Sequence, residues 1–179
     1  MPLPERLKPI KINRSIMKDK LDLLEKITIK IDSGAKEDNT ELNLMMNNWN
    51  TQTAKIYEFS DFRDYNSWTS AKEFTKMAFN QTKYIDDLTY EELIAIIEFI
   101  CNAEGNESEQ SYALDLLEMN FDANPSDLIY WPNEWFNDED VDDLSFEEVA
   151  AYLMHRSQRI LPDSPKIILR YPIPEKIDG

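Results

Sequence analysis

Apolar residues recur at helical spacing along most of this chain. Leu93, Ile97 and Ile100, for example, fall on one face of a helix. The pattern predicts an all-α fold, with single turns after Ser60 and Ser126. The predicted helices cover residues 16–31, 39–50, 70–79, 89–102, 107–121 and 145–157.

Capping residues mark where these helices begin and end. A Ser or Thr followed three residues later by Glu is typical of a capping box, in which two backbone N–H groups of the first turn are satisfied. Such pairs are Ser70–Glu73, Thr89–Glu92 and Ser145–Glu148, with weaker versions at Asp38–Glu41 and Asn106–Glu109. Gly34 and Gly105 follow apolar helical segments, where a left-handed C-cap is expected.

The order of the elements suggests an internal duplication. Residues 1–84 form a helical first half, residues 85–160 a second helical domain that repeats its order of elements, and residues 161–179 a proline-bracketed extended tail. Two unrelated helical halves remain the alternative. We expect the tail segment 165–172 to dock against a neighbouring surface.

The acidic residues are concentrated in one stretch. Residues 81–150 hold twenty Asp and Glu and one basic residue, Lys83, a net charge of −19, whereas the rest of the chain holds fifteen acids and eighteen bases. This charge disfavours nucleic acid and anionic membrane as partners and favours a basic protein, although solubility alone is the simpler explanation. One cysteine, Cys101, excludes an internal disulfide, and with no apolar leader or membrane-spanning run we expect a cytoplasmic protein.

A motif in the acidic stretch points to a family. Residues 126–132 read Ser-Asp-Leu-Ile-Tyr-Trp-Pro, and they follow a Thr-capped apolar helix ending in Cys101-Asn102 and an acidic helix. In order and spacing this resembles the immunity proteins of nuclease colicins and pyocins. The resemblance covers roughly residues 88–156 and extends to the first half only through the proposed duplication. It implies a distorted antiparallel four-helix bundle that inhibits the nuclease domain of a bacteriocin, with a DNase favoured.

The same resemblance implies which residues would bind the toxin. The shared binding core would be Asp127, Tyr130 and Trp131, although the family usually has Tyr at the last position. The acidic helix would set specificity through Glu107, Gln110, Ser111, Leu114, Asp115 and Glu118. The competing interpretation is that the two aromatic residues belong to the core and that Asp127 only caps a turn. Trp135 and Phe136 either extend an aromatic surface or fold back onto the core.

Other chemistry finds little support in the sequence. The acidic run 137–143 lacks the turn glycine and final Glu of a calcium-binding loop, and His155 has no Cys, Ser or second His arranged around it. We therefore expect no enzyme activity, metal or cofactor. The alternative function is an acidic helical-repeat adaptor, or a DNA mimic that binds some other basic protein; a metal-dependent hydrolase is a third hypothesis.

Overall fold

The computed structural model describes residues 2–80 and 83–174, and the regular structure in these ranges is entirely helical, as predicted. The helices are α1 Arg14–Asp32, α2 Thr40–Trp49, α3 Phe59–Asp64, α4 Ala71–Phe79, α5 Tyr90–Cys101, α6 Glu107–Asn120, α7 Pro125–Tyr130, α8 Pro132–Phe136 and α9 Phe146–Ser157. Short 3₁₀ turns cover Glu5–Leu7 and Tyr65–Ser67. The six predicted helices are confirmed, α3 and α7 correspond to the predicted turns, and α8 was not predicted.

The contacts divide the chain into two compact units. One, here the N-terminal unit, contains residues 9–80 and 106–112; the other, here the acidic unit, contains residues 2–8, 83–105 and 113–174. The first residues of the chain thus belong with its second half, which the sequence did not indicate. The domain boundaries proposed at residues 84 and 160 stay predictions.

An aromatic cluster forms the core of the N-terminal unit, in which α1 contacts α2, α3 and α4. Phe74 lies at its centre, stacked on Tyr57 with 4.3 Å between ring centroids, on Tyr65 at 4.5 Å and on Trp49 at 5.6 Å. Phe62 meets Trp49 edge to face. Because aromatic side chains bury large areas with few rotatable bonds, this cluster holds the short α3 against α2 and α4.

A buried lysine joins α1 to the end of α2. The ammonium group of Lys20 donates hydrogen bonds to the carbonyl oxygens of Trp49 and, at 2.6 Å, of Thr51. In return, the indole N–H of Trp49 donates to the Lys20 carbonyl at 3.0 Å. Burial lowers the pKa of Lys20 because it disfavours the charged form. The lysine satisfies carbonyls that a helix leaves open at its C-terminus.

In the acidic unit, α5 packs on α9, and α7 contacts both α8 and α9. The inward face of α5 carries Leu93, Ile97 and Ile100, as its periodicity predicts, and the inward face of α9 includes Tyr152 and Leu153. The helices α5 and α9 each supply six buried apolar residues, and α9 contacts both α7 and, through Tyr152, α8.

Asn120, at the end of α6, connects three segments of the acidic unit. Its side-chain oxygen accepts from the Ile85 N–H at 2.8 Å, and its side-chain nitrogen donates to the carbonyls of Lys83 at 3.0 Å and Leu116 at 2.8 Å. Arg159, beyond α9, donates to the same oxygen at 3.0 Å and also to the Ile85 carbonyl. A buried amide with this many partners holds the segment before α5 against the end of α6.

The predicted capping boxes are partly confirmed. The boxes that begin α5, α6 and α9 are reciprocal, with both hydrogen bonds formed. At Ser70 only the Ser half is present, because the Glu73 carboxylate instead accepts from the Ser108 N–H at 2.8 Å. The Asp38–Glu41 box is wrong: Asn39 caps α2, and Glu41 pairs with Lys30.

One of the two C-cap predictions is correct. Gly34 follows α1 with φ +103°, and the Ala35 N–H bonds back to the Lys30 carbonyl, which ends the helix in a Schellman motif. After α5 the left-handed position is Ala103, at φ 50°, and the Glu104 N–H bonds back to the Phe99 carbonyl. Gly105 has a positive φ of 70° but lies two residues beyond that cap.

The C-terminal tail docks on α9 and the loop before it. The hydroxyl of Tyr152 accepts from the Tyr171 N–H at 2.8 Å and donates to the Tyr171 carbonyl at 2.7 Å. Arg170 binds both carboxylate oxygens of Glu148, at 2.6 and 3.0 Å, and the Asp143 carbonyl. The described part of the tail, to residue 174, is therefore fixed to the acidic unit without forming a strand.

We predict that Asn120→Ala lowers the free energy of unfolding by about 2 to 4 kcal/mol, because it removes the partner of the buried Ile85 N–H and an acceptor of Arg159. Urea titration followed by circular dichroism would measure the change. The control is Asn47→Ala on the exposed face of α2, for which we expect a change within about 0.5 kcal/mol. Equal effects would show that the Asn120 contacts contribute nothing.

We predict that acid weakens the acidic unit. Hydrogen bonds from Arg6 and Arg170 lower the pKa values of Glu92 and Glu148, respectively, below the ordinary value of 4.5. A lowered folded-state pKa contributes stability above the unfolded-state pKa, and that contribution is lost as pH falls through the folded-state value. The melting temperature should therefore decrease as the pH is lowered below about 4.5.

The Glu92→Gln, Glu148→Gln variant should melt lower than the native chain at pH 7 but show a shallower dependence on pH in the acid range. Glu147→Gln, an exposed change on the same helix as Glu148, is the control for the loss of a negative charge. An acid slope that is unchanged in the double variant would contradict this assignment.

Candidate functional site

The residues of the Ser126–Pro132 motif form α7 and the joint between α7 and α8. Leu128 points inward and is buried, whereas Asp127 on the same short helix is exposed. Tyr130 ends α7 with 49% of its surface exposed, and Trp131 follows with 61% exposed. Neither aromatic residue belongs to the core, so the competing interpretation is wrong on that point.

The backbone changes direction at Trp131, where φ is −135° and ψ is 57°. Its N–H still donates to the Asp127 carbonyl at 2.8 Å and so belongs to the end of α7. Its carbonyl already accepts from Glu134 and Trp135, both at 3.0 Å, and so begins α8. Pro132 occupies the first position of α8, where the missing N–H of proline is tolerated. Pro132 therefore follows the end of α7 and starts α8.

Trp135 and Phe136 fold back onto the core. The indole N–H of Trp135 donates to the Ala123 carbonyl at 2.8 Å, and the Arg156 guanidinium lies 4.6 Å from the indole centroid. Phe136 meets Trp135 and Tyr152 edge to face at 4.6 and 4.7 Å. The inward pair anchors α8. It thereby fixes the backbone from which Tyr130 and Trp131 project into solvent.

Tyr130 lies near Cys101, the last residue of α5, so that the ionisation of one side chain affects the pKa of the other. Desolvation raises the pKa of the Tyr130 hydroxyl, and repulsion from a Cys101 thiolate raises it further. Desolvation likewise raises the pKa of the Cys101 thiol. Both groups are therefore neutral at pH 7.

The six predicted specificity residues lie on α6, but the contacts divide them between the two units. Glu107, Gln110 and Ser111 belong to the N-terminal unit; Leu114, Asp115 and Glu118 belong to the acidic unit. Glu107 accepts a hydrogen bond from the Thr69 hydroxyl. Glu118 is exposed, and Leu114 and Asp115 are half-buried.

Met119 is an exposed residue of α6 that the sequence analysis missed, with about half of its surface accessible. Its position next to Glu118, on the polar side of an amphipathic pattern, was the signal that could have found it. A flexible, polarizable side chain of this kind suits adaptable contacts.

The counterpart of the motif in the N-terminal unit is built differently. Phe62 is buried as Leu128 is, and Tyr65, the counterpart of Trp131, is also buried. Arg63 forms an ion pair with Asp64 at 2.8 Å. The exposed aromatic residue nearby, Trp68, is not followed by a second one. The order of helices is shared between the units, but the exposed aromatic pair is not.

Within residues 2–80 and 83–174 no group of three or more His, Cys, Asp or Glu side chains is placed to hold a metal ion. In the same ranges, none of the helices combines the length and the hydropathy that crossing a membrane requires.

Comparison with known proteins places this surface in a family. The model of the colicin immunity protein / pyocin immunity protein family matches residues 85–149, which include α5 to α8 and the first turn of α9. The uncharacterized protein YezA of Bacillus subtilis (strain 168) is 43% identical over 58 residues, which are 32% of this chain and 85% of that protein. No solved structure matches. Through its second half, the chain belongs to the colicin and pyocin immunity protein family.

We predict that substitutions of two tryptophans four residues apart change stability by very different amounts. Trp131→Ala should change the free energy of unfolding by less than about 1 kcal/mol, because the side chain is largely exposed. Trp135→Ala should lower it by about 3 to 5 kcal/mol, because it leaves a cavity and an unpaired Ala123 carbonyl. Denaturant titrations of both variants would measure this, and a larger loss for Trp131→Ala would contradict the observed orientation.

Proposed function

We propose that this protein binds and inhibits the nuclease domain of a cognate bacteriocin and so protects the cell that produces the toxin. The observation that carries the proposal is the exposed pair Tyr130 and Trp131, held by a fixed joint within the segment that matches the immunity family. Exposed aromatic side chains on a rigid support are the residues that most often dominate binding energy.

The chemistry of the surface suits a basic partner. Tyr130 and Trp131 provide a large contact area and lose little rotamer entropy on binding. The exposed carboxylate of Asp127, on the same short helix, can accept hydrogen bonds from cationic or amide groups. A partner that buries the aromatic pair would therefore meet a nearby acceptor, and the surrounding carboxylates would speed the encounter.

Inhibition by this surface requires no chemistry in the immunity protein. A nuclease must bind a polyanion, so an acidic protein bound beside its catalytic centre excludes the substrate by repulsion and by occupying space. We propose a DNase as the cognate toxin, a cytoplasmic complex, and a role in binding rather than catalysis. In this proposal Leu114, Asp115 and Glu118, with Glu107, Gln110 and Ser111, decide which toxin is accepted.

A second candidate function is an acidic adaptor or DNA mimic for another basic protein. The observation that favours it is that residues 9–80 lie outside the family match and form a unit with its own aromatic core. The two candidates differ in selectivity: an immunity protein binds one nuclease domain tightly, whereas a DNA mimic binds basic DNA-binding proteins more broadly.

The test is calorimetric titration against the nuclease domain encoded next to this protein, with nuclease activity measured in parallel. We predict that Tyr130→Ala and Trp131→Ala each weaken binding by about 2 to 4 kcal/mol. The matched control is Trp68→Ala, which removes an equally exposed indole from the N-terminal unit and should change affinity by less than about 0.5 kcal/mol.

Repeating the titration at low and high salt separates the candidates. Salt should slow association with the nuclease without abolishing binding, because the aromatic contacts are not screened. No binding at low salt would reject the immunity function and favour the adaptor. Tight binding that neither aromatic substitution changes would keep the immunity function and reject the proposed site.

A further inference from the structure

The first residues of the chain are bound to the acidic unit as a short ligand would be. Leu3 and Leu7 are buried, whereas Pro2, Arg6 and Lys8 around them are exposed. A single 3₁₀ turn, closed by a 2.8 Å hydrogen bond from the Leu7 N–H to the Pro4 carbonyl, brings the two leucines to one side. Burial of two apolar side chains spaced four residues apart is typical of a recognition segment.

Arg6 supplies the polar part of this contact. Its Nε and Nη2 atoms bind the two carboxylate oxygens of Glu92, each at 2.5 Å. Its Nη1 and Nη2 atoms also donate to Asp87, to the carboxylate at 2.9 Å and to the carbonyl at 3.2 Å. A planar guanidinium matches this paired arrangement, which a lysine could not reproduce.

The acceptors for Arg6 are arranged by the helix itself. Glu92 is the reciprocal partner of Thr89 in the capping box of α5, and its side chain is 14% exposed. Asp87 lies three residues before the helix. The start of α5 therefore presents fixed acceptors, and the bound arginine neutralises a carboxylate that the capping box holds in place.

Chain connectivity makes this arrangement more than a packed terminus. Residues 9–80 lie between the segment and its site in sequence, yet they belong to the other unit. The segment also lies outside the family match, which begins at residue 85. The acidic unit is thus assembled from two separate parts of the chain.

We propose that residues 2–8 are an intramolecular ligand of the acidic unit. The start of α5 forms a binding site for a short segment in which an arginine lies between two leucines spaced four apart, and residues 9–80 are an insertion between ligand and site. The ligand class is a short peptide with one guanidinium and two apolar anchors.

This site is separate from the candidate toxin surface. It lies at the first turn of α5, whereas Cys101, the neighbour of Tyr130, is the last residue of that helix. Twelve helical residues separate the two by about 18 Å. This proposal therefore does not depend on the proposed function.

The experiment uses the full chain with a protease site inserted between Ile10 and Lys11 and a fluorophore attached at residue 1. Both flanking residues are exposed or half-exposed, and α1 starts only at Arg14. After cleavage, fluorescence anisotropy during dilution and during addition of unlabelled peptide 1–10 measures release of the segment. We expect the cleaved segment to stay bound at micromolar protein and to be displaced by the peptide in a saturable manner.

Matched peptide variants test the recognition. Arg6→Ala should weaken the competing peptide about tenfold or more, as expected for loss of a bidentate ion pair. Lys8→Ala removes the same charge from a residue that pairs with Glu5 within the segment and should change competition less than about twofold. Raising the salt concentration should weaken binding of the native peptide more than that of the Arg6→Ala peptide.

Two outcomes would overturn the proposal. The first is immediate loss of the segment after cleavage at micromolar protein while the acidic unit stays folded by circular dichroism. The second is equal competition by the Arg6→Ala and Lys8→Ala peptides, which would show general attraction of cations to an acidic surface. Unfolding on cleavage that added peptide 1–10 reverses would support the proposal, and unfolding that the peptide does not reverse would reject it.

Discussion

The acidic unit must hold together a stretch of chain that carries twenty acids and a single base between residues 81 and 150. Its cations come from outside that stretch. Arg6 arrives from the N-terminus and binds at the start of α5; Arg159 and Arg170 arrive from beyond α9 and bind near Asn120 and at Glu148. Arg6 and Arg170 pair with the carboxylates of two capping boxes, which reduces repulsion between acids there. Arg159 donates to oxygens of Asn120 and Ile85. Most of the other carboxylates of this stretch are exposed.

The exposed aromatic pair depends on the buried aromatic pair that follows it in the chain. Four aromatic residues surround Pro132 within seven positions, and the structure sends Trp135 and Phe136 inward and Tyr130 and Trp131 outward. The indole N–H of Trp135 finds a backbone acceptor inside, so burying it leaves no polar group unsatisfied. The buried Trp135 holds the backbone that carries the exposed pair in place. A surface that is ordered in advance loses less entropy when it binds a partner.

The N-terminal unit also has a short helix, α3, but no exposed aromatic pair follows it. Its short α3 is followed by Tyr65, which packs into a dense aromatic core with Phe74. The aromatic surface that the acidic unit presents outward is here used for stability. This difference between the units is consistent with residues 9–80 lying outside the family match.

The sequence by itself determined the helices and most of their caps, because periodicity and capping boxes depend on residues at most a few positions apart. It also located the motif at residues 126–132. It did not show that Leu3, Arg6 and Leu7 belong with α5, because that contact spans more than eighty residues and has no local pattern. The direction of Trp131 and Trp135 was likewise undecided, since both are large, amphipathic and close to a proline. Only the tertiary structure decided it, by offering the Ala123 carbonyl and the face of Tyr152 to one indole and solvent to the other.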